Sequence, residues 1–361
     1  MRKKEKEVLK FILFFLMIII FLFPDISNTE AQSLYLKKIA DLKGMGVGYD
    51  IMIQDIYAYI TGNDGFIVVD IENPYEPTKV GEFLNEYGAF GIYVKEDLAF
   101  LASVEHGLEI ANISDPTEPF LIGDCNIEGI SSSVYTEGNY TYLTNYETGL
   151  HIINTSDLSD PIEIGEYSVY GRADKVIVID KTAYVAFPNH GLVVLNITTP
   201  TSPTFISTVS FTEGAAGLAF YQNLLFVGCY SSNIIILNAS TPENPILLGI
   251  HSDDDEGEAL GLAGNSTHLY VADNFGVEYL DISNLPTIVE KAENRDKIAA
   301  AHDVDFIDNY IFISGGSARA ACIVFEVSDT QKTDFIGVPF IVVTFTLLLL
   351  IYKSNCKRKK A

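Results

Sequence analysis

Along the middle of the chain, apolar residues come in short runs set off by single glycines, asparagines and prolines. Gly65 precedes FIVVDI, Gly107 LEIANI, Gly149 LHIINT, Gly191 LVVLNI, Asn233 IIILNA and Gly276 VEYLDI, at intervals of 42, 42, 42, 42 and 43. Glycine and asparagine accept positive φ, so each predicts a tight turn into a strand. Five residues on sit Asp70, Asn112, Asn154, Asn196, Asn238 and Asp281, side chains that bond their own backbone and end strands. A proline-marked loop follows each, which no ladder tolerates. Upstream lie aromatic–aliphatic pairs, Tyr59-Ile60, Phe100-Leu101, Tyr142-Leu143, Tyr184-Val185, Phe226-Val227, Tyr270-Val271 and Phe312-Ile313, which make seven units.

Four short strands, a to d, in about 42 residues is the size of a propeller blade. The seventh unit supplies strands a, b and c but no d. An orphan strand, Leu34 to Leu42, precedes the first strand a. The expected fold is all-β: a seven-bladed β-propeller whose last blade is closed by the N-terminal strand, which removes two free sheet edges. An open array of repeats is the competing architecture.

The runs GFIVVDIENPYEP, GLEIANISDPTEP and GLVVLNITTPTSP resemble the LVIVD repeat, and the resemblance covers about residues 34–327 in seven copies. It implies a β-propeller at the cell surface. It brings no catalytic motif, so no site residue follows from it.

The two ends read differently from the repeats. Arg2, Lys3, Lys4, Lys6 and Lys10 precede an unbroken apolar run, Phe11 to Phe23, and Thr29-Glu30-Ala31 offers small residues for cleavage. Residues 1–31 are expected to be a signal peptide. Phe335 to Tyr352 is 18 residues without a charge, followed by five bases among residues 353–361. This predicts a C-terminal transmembrane helix over 335–352 and a basic cytoplasmic tail over 353–361, with the propeller, 32–330, extracellular. A C-terminal sorting signal is the alternative.

The formal net charge is −25, and residues 32–334 alone hold 44 acids and 13 bases, or −31. Such a surface gains nothing from counterion release, which argues against nucleic-acid binding. Cys125, Cys229 and Cys322 cannot all pair with one another and are expected to be buried thiols. Sequons at Asn112, Asn139, Asn154, Asn196, Asn238 and Asn265 make glycosylation possible in an exported chain, although the strand-ending role already explains four of them.

H-E-x-x-H, C-x-x-C and G-x-S-x-G are absent, and there is no Trp, which disfavours several propeller enzyme classes. The run Gly44 to Gly48 has no helix after it and reads as a turn rather than a phosphate loop. Propellers bind ligands on the face made by the d–a and b–c loops around the channel. On it the sequence places Asp50, Arg172, Asp174, Glu213, His302 and Asp303 as binding candidates. His302 and Asp303 are expected to form a hydrogen-bonded pair. Asp253 and Asp255, in an acidic run, are weak candidates for calcium; no other cofactor is expected. His106 and His190 read as solvated loop histidines. Carboxylates crowded at one opening repel, so the mouth is expected to prefer a cation or a basic partner. The expected function is a non-catalytic platform for extracellular protein, peptide or glycan. The alternative is a hydrolase or metal-dependent enzyme sited at the same mouth.

Overall fold

The computed structural model describes residues 34–329 except 44–45, 169–170, 211–213, 232, 253–256, 295–299 and 316–319. The signal segment, residues 335–352 and the tail lie outside the described residues, as do Glu213, Asp253 and Asp255. Among the described residues no helix is long and apolar enough to cross a membrane.

Residues Tyr35–Val327 form one unit of seven four-stranded antiparallel sheets. Blade 1 comprises Ile51–Gln54, Tyr57–Gly62, Gly65–Asp70 and Thr78–Leu84, hydrogen-bonded in that order, and blades 2 to 6 repeat the plan. In blade 7 the order is Ala301–Ile307, Tyr310–Gly315, Ala320–Asp329 and then Leu34–Lys43. The N-terminal strand thus supplies strand d of the last blade, as the strand count predicts. It is held by burial as well as by pairing. Leu36 is buried, Ile39, Ala40 and Leu42 pack on the cluster of Ile51, Ile60, Phe312 and Val324, and Asn294 Nδ2 donates to Leu36 O at 3.0 Å.

Most repeat positions act as expected. Asn112, Asn154, Asn196 and Asn238 each accept, through Oδ1, the N–H two residues on, as do Asp70 and Asp281. The hydroxyl residue that completes four of the sequons is therefore the residue that closes this turn. Gly65, Gly107, Gly149 and Gly191 all have positive φ. Gly276 does not; there Asp273 Oδ1 accepts the Phe275 and Gly276 N–H groups at 2.7 and 2.6 Å and makes the turn another way.

Neighbouring blades meet tightly at strand d. A Cβ on Gly81, Gly123 or Gly165 would lie 2.0, 2.4 or 2.2 Å from the carbonyl oxygen of Pro116, Leu158 or Pro200 in the next blade's loop. In blade 4 the equivalent residue is Ser207, whose hydroxyl instead donates to Pro242 O at 2.7 Å. Between the sheets lie the aromatic–aliphatic pairs; Tyr184, Phe226 and Phe312 are fully buried. Cys229 and Cys322 are buried and Cys125 is half-buried.

Candidate functional site

The innermost strands share a local irregularity that builds the channel mouth. In blades 2, 3, 5 and 7 the ladder between strands a and b skips one residue: Phe90, Ser132, Ala216 and His302. In blades 1, 4 and 6, Tyr49, Asp174 and Leu260 donate their N–H to Thr61, Ala186 and Ala272, the residues that also face Asp50, Lys175 and Gly261. Two residues of strand a thus oppose one of strand b in every blade, which is a β-bulge. A bulge re-aims side chains, so the bulge residue of each blade reaches the mouth, joined in blades 1, 4 and 7 by the residue after it. They meet there in a cavity of about 290 Å³ lined by all seven bulge residues with Asp50, Lys175, Asp303, Tyr146 and Tyr230.

The floor of this cavity is an ion cluster. Lys175 reaches from blade 4 to the carboxylates of Asp50 in blade 1 and Asp303 in blade 7, at 3.2 Å each. Asp50 Oδ2 also accepts the Ile92 N–H of blade 2 at 2.8 Å, and Asp303 Oδ1 accepts that of Val304 at 3.0 Å. The two carboxyls lie within hydrogen-bonding reach of each other. Burial pushes Asp303 well above the usual carboxylate range, and the neighbouring Asp50 charge adds to this. Asp50 goes the other way: burial opposes its charge, but Lys175 and the bond to Asp303 hold it below its ordinary value. Lys175 keeps its proton because the two carboxylates outweigh the cost of burying it. Lys175 thus bridges one carboxyl whose charge it supports and one whose charge burial disfavours. Deeper in the channel, Asp305 accepts the Ile53 N–H of blade 1 at 2.7 Å, and burial pushes its carboxyl up to about 6.

The rim is aromatic on one side. His302 stacks on Tyr49 with ring centroids 5.6 Å apart, Tyr49 meets Phe90 edge-on at 4.8 Å, and Phe90 leans on Tyr146 at 6.2 Å. Arg172 lies over Tyr146 at 4.5 Å and over Tyr230 at 5.6 Å. Its Nε and Nη2 grip Asp174 at 2.8 and 3.3 Å, and Tyr230 donates its hydroxyl to the same carboxylate. Burial pushes Asp174 up despite these partners. Ala216 and Leu260 make the opposite side low and apolar.

Two sequence expectations are corrected here. The mouth carboxylates are not a bare repelling cluster, because Lys175 pairs with Asp50 and Asp303, and Arg172 with Asp174. His302 and Asp303 are not hydrogen-bonded to each other as expected: the bulge places His302 at the rim, where Nδ1 meets Gly48 O at 2.7 Å, while Asp303 turns to the floor. Asp50, Asp174, His302 and Asp303 do line one cavity, and Arg172 binds Asp174 beside it. Sequence reasoning missed Lys175, Tyr49, Phe90, Tyr146 and Tyr230. A repeat alignment gives the signal for the first three: each occupies the position of a candidate already chosen in another blade.

The LVIVD repeat model matches residues 46–85, 88–127, 128–169 and 170–210, the first four blades. The chain carries four LVIVD repeats within a seven-bladed propeller. The seven-sheet geometry carries the same unit through the three further blades. No curated protein matches the sequence of this LVIVD propeller. Two solved structures share its fold. The β-propeller domain of Myceliophteria thermophila Cps50 (Swd1) aligns with TM-score 0.64 at 9% identity, over 81% of this chain and 100% of that one. The computationally designed Ika8 protein aligns with TM-score 0.60 at 10% identity, over 80% and 99%.

Elsewhere on the LVIVD propeller, His106 stacks on Tyr87 at 5.6 Å and approaches Asp124 at 3.4 Å, so it is partnered rather than simply solvated. His190 stays in the b–c turn of blade 4, its N–H donating to Phe187 O at 3.1 Å. Among the described residues, one group has metal-ligand character, His151 with Glu163 and Glu166 on the outer half of blade 3. Both ring nitrogens of His151 are already engaged, by Glu163 and Thr148 at 2.7 Å each.

Proposed function

We propose that this LVIVD propeller is a non-catalytic binding module whose ligand enters the channel mouth. The observation that carries this reading is the convergence of the bulge residues of all seven blades on one concave, partly aromatic cavity. Concave sites of a few hundred cubic ångströms with a few placed polar groups are where proteins hold small ligands or an inserted side chain. A catalytic reading has less support. The ionisable groups of the mouth are engaged by one another and by the backbone, His302 Nδ1 with Gly48 O among them. Ser132 Oγ bonds Thr144 Oγ1 and Ala173 O, at 2.9 and 2.8 Å, rather than a base. Nucleophilic catalysis needs a hydroxyl or thiol within reach of a base.

In this proposal the module works outside the cell, anchored by residues 335–352, and its partner is an extracellular protein, peptide or glycan. Protease added to intact cells then cleaves the propeller and spares the basic tail; the reverse pattern refutes the orientation. For the binding role, immobilised full-length protein is compared with its Phe90→Leu variant for retention of labelled cell-surface material. Retention that depends on Phe90 supports the mouth. Equal retention by both places binding elsewhere.

A further inference from the structure

We propose that the channel mouth selects a neutral saccharide, with Tyr49 and Phe90 as the stacking platform for one sugar ring. This rests on the mouth being the binding site and adds the chemical class of its occupant.

Charge balance comes first. Lys175 is held between Asp50 and Asp303, and Arg172 is gripped by Asp174. An ionic ligand would have to break one of these pairs and leave a poorly solvated charge without a partner, which is costly. Arg172 already covers Tyr146 and Tyr230. A neutral ligand escapes the penalty of breaking an ion pair.

The free chemistry of the mouth matches such a ligand. Tyr49 and Phe90 pack edge to face, and Tyr49 Oη donates to Asn63 Oδ1 at 2.6 Å, so the platform is set before anything binds. Aromatic faces take the C–H side of a sugar ring by dispersion and quadrupole attraction. A carboxylate in an ion pair still has lone pairs to accept from hydroxyls. Asp50 and Asp303 line the same cavity of about 290 Å³ as the platform. That volume admits a single sugar ring and not a folded chain segment. Ala216 and Leu260, low and apolar, leave the far side of the ring open to the rest of a glycan.

The test is saturation-transfer NMR on the full chain. The probes are the methyl glycosides of glucose, galactose, mannose and N-acetylglucosamine, with tetramethylammonium and methylguanidinium as ionic probes. At least one glycoside is expected to receive saturation, and Phe90→Leu and Tyr49→Leu to weaken it about fivefold each. Ring resonances of labelled Tyr49 shift with the same glycoside in the unsubstituted protein, a readout independent of whether the variants fold. A glycoside signal that ignores both variants and leaves Tyr49 unmoved overturns the proposal. Ionic probes binding in a Phe90-dependent way, with no glycoside doing so, overturn the saccharide and keep the mouth. If nothing binds, both readings fall.

Discussion

Lys175 is the residue on which the mouth most depends, since it alone reaches from blade 4 to blades 1 and 7. Lys175→Met leaves two buried carboxylates without their cation and is expected to cost about 2–4 kcal/mol in urea unfolding at pH 8. The cost shrinks near pH 5, where Asp303, whose affinity for its proton is already raised, accepts protonation more readily. A loss that is the same at both pH values would mean that the lysine acts by packing alone. Gly123 makes a second case. Gly123→Ala drives a methyl to 2.4 Å from Leu158 O and is expected to destabilise by about 1–3 kcal/mol, measured by thermal melting. Asp50 and Asp303 were legible in the sequence because they occupy matching positions nine residues before an aromatic. Lys175 was not, because one lysine opening an apolar strand looks like any exposed edge residue. Its role appears only when blade 4 faces the seam between blades 7 and 1.

At the level of strands, the pattern of apolar runs, turn glycines and prolines was enough to place four strands per blade and to assign Leu34–Lys43 to the last. The reason is physical: burial between blades demands apolar positions at a fixed period, and turn chemistry marks the ends. The bulges were hidden. A skipped residue changes which way side chains face without changing composition, and strand a often begins with small residues, as in Ala89-Phe90-Gly91 and Ala215-Ala216-Gly217. Deleting residues 34–43 tests the closure. It uncovers the edge of Ala320–Asp329 and removes the burial of Leu36, Ile39, Ala40 and Leu42, on the order of 6 kcal/mol by transfer. A deleted protein that melts with the intact one would show that the ring does not need its strap.

For the whole molecule, the channel makes stability respond to pH in an unusual direction. Asp305 titrates at about 6 in the folded protein, against 3.8 for an ordinary Asp. Its raised value means that the folded state binds the proton more tightly than the unfolded state. The stability it contributes is full below about pH 4 and is lost as pH rises through 6. The melting temperature of the intact protein, relative to an Asp305→Ala variant, is therefore expected to fall between pH 4 and pH 7. A difference that grows with pH would reverse the assignment. The overall charge of −25 acts separately, as a solubilising and anion-repelling field that is screened by salt.

Closure by Leu34–Lys43 also fixes an order of events during synthesis. This strand leaves the ribosome ahead of all seven blades, yet its partner, Ala320–Asp329, is the last to be made. Blades 1 to 6 form from neighbouring hairpins, whose contacts are local and quick to find. The seventh sheet joins residues almost a whole chain apart, and the six assembled blades bring its two edges together in place of a floppy loop. Closure therefore waits for Ala320–Asp329, and a chain that stalls before Ala320 leaves its first strand unpaired. The mouth, whose floor bridges blades 1, 4 and 7, cannot be complete before the last blade has been made.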